Sequence, residues 1–329
     1  MRSFNYQRPE SIAEAIALMD QDGSSRPLAG GTDLLTLMKG EIEAPSRLID
    51  IKRLSDLDDA IVPGNSGGIT IGALATLSEI EHHPLIAGSY TALAQSVSVA
   101  ATTQLRNMAT IGGNLLQRPR CWYFRDETIP CWLKGGDTCP AREGENQHHA
   151  ILGESPCVAT HPSDPATALL ALDASMTLRG QGGERTIGLD DFFAEPTADR
   201  RTETTIRPDE IVTSINLPGI APNTSTAYLK AMDRKAWSFA LVGVAASLTI
   251  DGGRITGARI VLGGVATIPW RVQEAEAVLI GQPAAPDVFE RAAHAAVTGS
   301  RPLTKNGYKI DLLKPLITRA LAAASVGES

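Results

Sequence analysis

Four cysteines, Cys121, Cys131, Cys139 and Cys157, are all that this chain of 329 residues contains, and they share one stretch of 37 positions. Such grouping points to shared chemistry, and four thiolates can hold a [4Fe–4S] cluster or a structural zinc ion. Structural zinc usually uses two C-x2-4-C knuckles. Here nine, seven and seventeen residues separate successive cysteines, a spacing that leans towards the cluster and leaves zinc, or free or paired thiols, as the alternatives. Pro119, Pro130, Pro140 and Pro156 fix φ close to the cysteines. Arg118, Arg120 and Arg125 surround Cys121, where cations favour thiolates and offset a cluster's charge. Trp122, Tyr123 and Phe124 would shield a cluster or belong to a local core.

Two glycine pairs could hold an anion. In Leu28-Ala29-Gly30-Gly31-Thr32-Asp33 the glycines lie between an expected strand and a helix start, where backbone N–H groups can approach a phosphate. The same pair could serve only to turn the chain. Thr110-Ile111-Gly112-Gly113-Asn114 reads as a second glycine turn, shortly before Cys121. Together they suit a dinucleotide with a pyrophosphate bridge beside the cysteine loop, although no G-x-G-x-x-G fingerprint is present.

The elements that must position these residues show in the pattern. Ser11 and Glu14 form an S-x-x-E capping box before a helix expected over about 12–20. Strands are expected near 26–28 and 47–51, then at 69–73, 175–179 and 185–187 with helices between them. Residues 118–156 have no clear period, and loops longer than ~15 residues are uncommon unless functional or disordered. Strands over 239–250 and 254–262 meet at Asp251-Gly252-Gly253, a hairpin signal. Helices are expected over 270–280, 286–298 and 308–324. The pairs His82-His83 and His148-His149 show no metal spacing and read as surface residues.

Composition is that of a globular chain, 43% hydrophobic and 20% charged, and its net charge of −7 speaks against a nucleic-acid partner. No run reaches ~18 apolar residues, so no membrane span is expected. No apolar run near the N-terminus is long enough for a secretory h-region, so no signal peptide is expected there. The chain is therefore expected in the cytoplasm as synthesised, and export to the periplasm with a signal-bearing partner would leave no mark on it.

Segments 28–39 (LAGGTDLLTLMK), 104–117 (QLRNMATIGGNLLQ), 159–164 (ATHPSD), 208–218 (PDEIVTSINLP), 228–248 (YLKAMDRKAWSFALVGVAASL) and 262–271 (LGGVATIPWR) resemble the FAD-binding medium subunits of xanthine dehydrogenase, carbon monoxide dehydrogenase and related molybdenum hydroxylases. The cysteine loop, which most members lack, is similar to that of bacterial, often periplasmic, aldehyde oxidoreductases and of 4-hydroxybenzoyl-CoA reductase.

The resemblance implies an α+β fold: a PCMH-type (vanillyl-alcohol-oxidase-type) FAD-binding domain over 1–222, with subdomains of about 1–53 and 54–222 and a cluster loop at 118–157. A C-terminal α+β domain over 223–329 would follow. It further implies that Ala29, Gly30, Gly31, Thr32 and Asp33 hold the FAD pyrophosphate, with Leu28 and Leu34 in the same cofactor-binding stretch. Thr102, Thr110, Gly112, Gly113 and Asn114 would form a second wall. Asp164 corresponds to a polar FAD contact, although Asp164-Pro165 also reads as an N-cap followed by proline. Ile211 and Lys230 match positions near the isoalloxazine, and without the resemblance Lys230 would read as a surface lysine.

The implied role is electron transfer. A molybdenum-cofactor large subunit and a [2Fe–2S] small subunit would supply electrons, and FAD here would deliver them to an external acceptor. A [4Fe–4S] cluster on Cys121, Cys131, Cys139 and Cys157 would be an additional centre, with no catalytic side chain expected on this chain. A zinc-stabilised structural or assembly subunit and a self-sufficient flavin oxidase are the competing readings.

Overall fold

The computed structural model describes residues 1–64 and 67–326. In the first unit β1 (Asn5–Gln7), α1 (Ile12–Ala17), β2 (Ser25–Leu28), α2 (Leu34–Lys39) and β3 (Arg47–Asp50) alternate. The strands therefore pair in parallel, in the order β1-β3-β2. Ile12, Ala15 and Ile16 bury one face of α1. The Ser11 hydroxyl accepts from the Glu14 N–H, whereas the Glu14 carboxylate accepts from Glu10 N–H instead of completing the box at Ser11.

The second unit starts with β4 (Ile61–Pro63) and β5 (Ile69–Gly72). Short helices follow: α3 (Leu77–His82), α4 (Pro84–Ser89), α5 (Thr91–Ser98), α6 (Thr103–Arg106), α7 (Ile111–Leu115) and α8 (Trp122–Arg125). After the cysteine loop come α9 (Asp164–Ala171), β6 (Ser175–Gly180), β7 (Gly183–Gly188), α10 (Leu189–Phe192) and β8 (Ile211–Leu217). They build an antiparallel sheet, β4-β5-β8-β6-β7.

The third unit is a four-stranded sheet, β12-β11-β10-β9, of β9 (Thr224–Ala231), β10 (Val242–Asp251), β11 (Arg254–Gly263) and β12 (Trp270–Arg271). It is covered by α11 (Gln273–Leu279), α12 (Pro286–Ala296) and α13 (Tyr308–Ser325). Gly252 and Gly253 take φ of 54° and 78°, the left-handed backbone that a two-residue hairpin turn needs. Trp270 and Arg271, expected in a helix, instead pair with β11, and the helix begins only at Gln273. Every residue of α9 is buried, because the helix packs between the second unit and the third sheet. Among the described residues no helix is long and apolar enough to cross a membrane.

Candidate functional site

The turn after β2 and the start of α7 face each other and wall a cavity of about 380 Å³. Leu28, Ala29, Gly30, Gly31, Thr32, Asp33 and Leu34 line one side; Thr110, Gly112, Gly113 and Asn114 line the other, and Ile211 closes it from the start of β8. A Cβ on Gly30 would lie 1.8 Å from the Met108 carbonyl oxygen, so the two walls touch through a residue that must lack a side chain. Gly31 has φ +70°, a backbone that disfavours any L side chain, and its missing Cβ points at the side chains of Leu35 and Leu28.

The two walls differ in what they offer. Thr110–Asn114, expected as a glycine turn, is the first turn of a helix with the Thr110 hydroxyl as its N-cap acceptor. Its amides are taken: Ile111 N–H donates to Ala75 O, Gly112 N–H to Ala73 O, Gly113 N–H to Thr110 Oγ1 and Asn114 N–H to Thr110 O. On the opposite wall the N–H groups of Gly31, Thr32 and Asp33 meet no protein acceptor among the described residues. Unpaired backbone donors at a cavity wall are where an anionic ligand gains most.

Asp33 is turned away from that role. Its carboxylate accepts from the Arg118 backbone N–H at 3.0 Å and from Arg125 Nη2 at 2.8 Å, and Arg120 Nη2 stands 3.0 Å away. Asp33 therefore ties the glycine turn to both flanks of Cys121. Buried Glu203, 3.1 Å from Arg118 Nε, extends the network; burial raises its pKa against the pull of that guanidinium.

Past Thr32, Asn114 and Arg120 the first cavity adjoins a second of about 800 Å³, walled also by Cys121, Trp122, His149, Asp164 and residues between 233 and 241. Asp164 is the first residue of α9, and Ser163 is the cap, its hydroxyl accepting from Ala166 N–H and donating to Asn114 Oδ1. The N-cap expected at Asp164 thus lies one residue earlier. The Asp164 carboxylate accepts from Tyr228 Oη at 2.6 Å and Lys230 Nζ at 2.8 Å. Burial raises its pKa, and the lysine and tyrosine oppose that shift. Lys230 is not a surface lysine; its side chain is 1% exposed and also donates to Val99 O. It lines neither cavity, and Ile211 stands in the first while Asp164 borders the second. Thr102 caps α6 through Leu105 N–H and lines neither.

The cysteines meet in one layer. Cys131 and Cys157 are buried with Leu37, Phe124, Trp132 and Leu133, and Cys121 and Cys139 pack against the same group. All four are free thiols. Cys139 also packs against Ala141, Ala150 and Val158, a packing role its sequence context does not reveal. Cys139 and Cys157 lie against each other, and their proximity pulls the Cys139 pKa down and pushes that of Cys157 up. Burial pushes Cys121 up to about 12 and raises Cys131. Among the described residues no three His, Cys, Asp or Glu side chains converge as one metal ion would require. His149, expected at the surface, is 2% exposed with Nε2 3.1 Å from Cys121 Sγ. Residues 305–309 hold its segment, which nothing in the local sequence signals.

Residues 2–220 match a family described as the FAD binding domain in molybdopterin dehydrogenase. The chain belongs to that family. Residues 227–324 of this molybdopterin dehydrogenase FAD-binding chain match the CO dehydrogenase flavoprotein C-terminal domain. It is 39% identical over 328 residues to the aldehyde oxidoreductase FAD-binding subunit PaoB of Escherichia coli, covering 98% of this chain and 99% of the relative. The carbon monoxide dehydrogenase medium chain of Hydrogenophaga pseudoflava is 28% identical, with 98% and 96% covered. The solved carbon monoxide dehydrogenase of that organism superposes with a TM-score of 0.78 at 27% identity, over 99% of this chain and 98% of the other. An α+β FAD-binding module followed by the family's C-terminal domain, as the resemblance implies, is thus the fold of this oxidoreductase subunit.

Proposed function

We propose that this chain is the electron-transfer flavoprotein subunit of a heteromeric molybdenum-containing aldehyde oxidoreductase, holding FAD in the glycine-walled cavity and a [4Fe–4S] cluster on Cys121, Cys131, Cys139 and Cys157. The observation that carries the proposal is adjacency: Thr32 and Asn114 from the two FAD walls and Cys121 from the cysteine loop border one cavity. When bound, FAD supplies two-electron chemistry and the cluster one-electron transfer.

The residues fit both groups. Free N–H groups at Gly31 and Thr32 suit a pyrophosphate, and the open side of Gly113, whose Cβ would meet only Thr110 Oγ1, leaves room for it. Four free thiols packed around one apolar layer are the donor set that the four corners of a cluster require. Arg120 Nε and Arg125 Nη1 are buried without acceptors, leaving donors beside Cys121 that an anionic group would satisfy. Tyr228 and Lys230 hold the Asp164 carboxylate at the edge of the second cavity.

The aldehyde assignment draws on the similarity to an aldehyde oxidoreductase subunit along the whole chain. A molybdenum-cofactor large subunit and a [2Fe–2S] small subunit would be the partners, and an external acceptor would take the electrons. The test is purification of the native complex, with flavin and iron counted per copy of this chain. One flavin and about four irons, with a broad visible absorbance under the flavin bands, are expected. Stoichiometric zinc without iron would overturn the cluster, and absence of flavin would overturn the cavity assignment.

A further inference from the structure

Besides the thiols themselves, one side chain among the described residues stands within hydrogen-bonding distance of a cysteine sulfur. It is His149, with Nε2 3.1 Å from Cys121 Sγ. The ring is buried and packs edge-on against Trp122, centroids 5.5 Å apart at 77°. Its other nitrogen, Nδ1, is also buried and makes no hydrogen bond of good geometry. A proton on Nε2 points at the sulfur, and in that tautomer the ring donates to a Cys121 thiolate.

The placement is built rather than incidental. Asn306, fully buried just before α13, donates from Nδ2 to His149 O at 3.1 Å and to Ala150 O at 3.0 Å. Buried Lys309 donates to His148 O at 3.1 Å and to Gly264 O at 2.7 Å. The third unit thereby grips the backbone on both sides of the imidazole.

We propose that His149 is a positioning residue of the iron–sulfur centre: its Nε2–H donates to the Cys121 sulfur and raises the cluster's reduction potential, with Asn306 setting the distance. The inference rests on the cluster reading above. On reduction the cluster gains one electron, part of the added negative charge falls on the thiolate sulfurs, and a hydrogen bond to sulfur favours that more negative state. No proton changes hands.

The experiment is a dithionite titration of the cluster in the purified complex, followed by EPR, with iron counted in each sample. His149→Leu removes the donor, His149→Gln keeps an N–H, and Asn306→Ala loosens the grip without touching the ring. At full iron content, His149→Leu is expected to shift the oxidised-to-reduced ratio about tenfold at a given potential, or about 59 mV downwards for one electron. His149→Gln should stay nearer the wild type, and Asn306→Ala should shift in the same direction by less. An unchanged potential in His149→Leu, or equal shifts in the leucine and glutamine variants, would overturn the role. If the leucine variant fails to load iron, Asn306→Ala decides, and an unchanged potential there counts against the proposal. Wild-type complex without iron would sink the cluster reading itself, and this inference with it.

Discussion

Around Gly30 the chain is placed by backbone against backbone, whereas around Cys121 it is placed by side chains reaching from distant segments. The glycine wall joins β2 to α2, and its approach to Met108 leaves no room for a Cβ. The cysteine loop carries only one short helix and two single turns over residues 122–142. Its shape comes from Asp33 on one side and from residues 305–309 on the other. A wall built from backbone tolerates no added atoms, while a loop built from hydrogen bonds tolerates loss only until its charges or cofactor go unpaired.

Gly30→Val should break the first region outright. Its Cβ would collide with the Met108 carbonyl, so the two walls must part at a cost of more than about 3 kcal/mol. Flavin per chain should fall more than about tenfold, read by absorbance of the purified complex, while iron falls far less. Equal loss of both cofactors would erase the distinction between the regions.

Asp33→Asn tests the tie between them. Three arginine contacts would lose their anionic partner; because Arg120 remains 31% exposed, the buried-pair cost is discounted to about 2 kcal/mol. Flavin and iron should both fall, with the cysteine loop becoming more open to protease between Arg118 and Arg142. Limited proteolysis alongside cofactor analysis reads this. Loss of flavin alone would mean that Asp33 acts only on its own wall.

Lys309→Met gives the smallest effect and sharpens the loop side. Burial pulls Lys309 down from 10.5 to about 7, so between those values the unfolded chain holds more protons than the folded one. The cost of the buried charge is full below about pH 7, and stability rises as pH climbs through that range. The expected gain is about 1 kcal/mol between pH 7 and 8 in the wild type, absent in the variant, measured by denaturant unfolding. Matching pH slopes would show that the lysine stays charged on its two carbonyl acceptors.

Much of the first region was legible because its signals are local. Gly31 with its positive φ, the hydroxyl at Ser11 and the Gly252-Gly253 turn all act within a few residues, and each lies where the pattern puts it, although the contact of Gly30 with Met108 is distant. Grouping of the cysteines was equally plain, and the structure gathers them in one layer. What the pattern missed depends on distant partners. β9, central to the third sheet's contact with α5, alternates too weakly to stand out until β10 pairs with it. Gly112 and Gly113, poor helix formers, are helical because Thr110 caps them and Ala73 and Ala75 accept their first amides. Lys230 and His149 look like surface residues until Asp164 and Cys121 are brought against them.

The most direct test of the account is iron and flavin content of the complex carrying Cys139→Ala. Cys139 neighbours Cys157 in the cysteine layer and lines neither glycine wall. One lost thiolate frees one corner, so iron should drop from about four per chain to three or fewer, with a changed EPR signal, while flavin stays near one. Iron unchanged at about four, with the loop no more open to protease, would contradict the claim that these four cysteines hold one cluster.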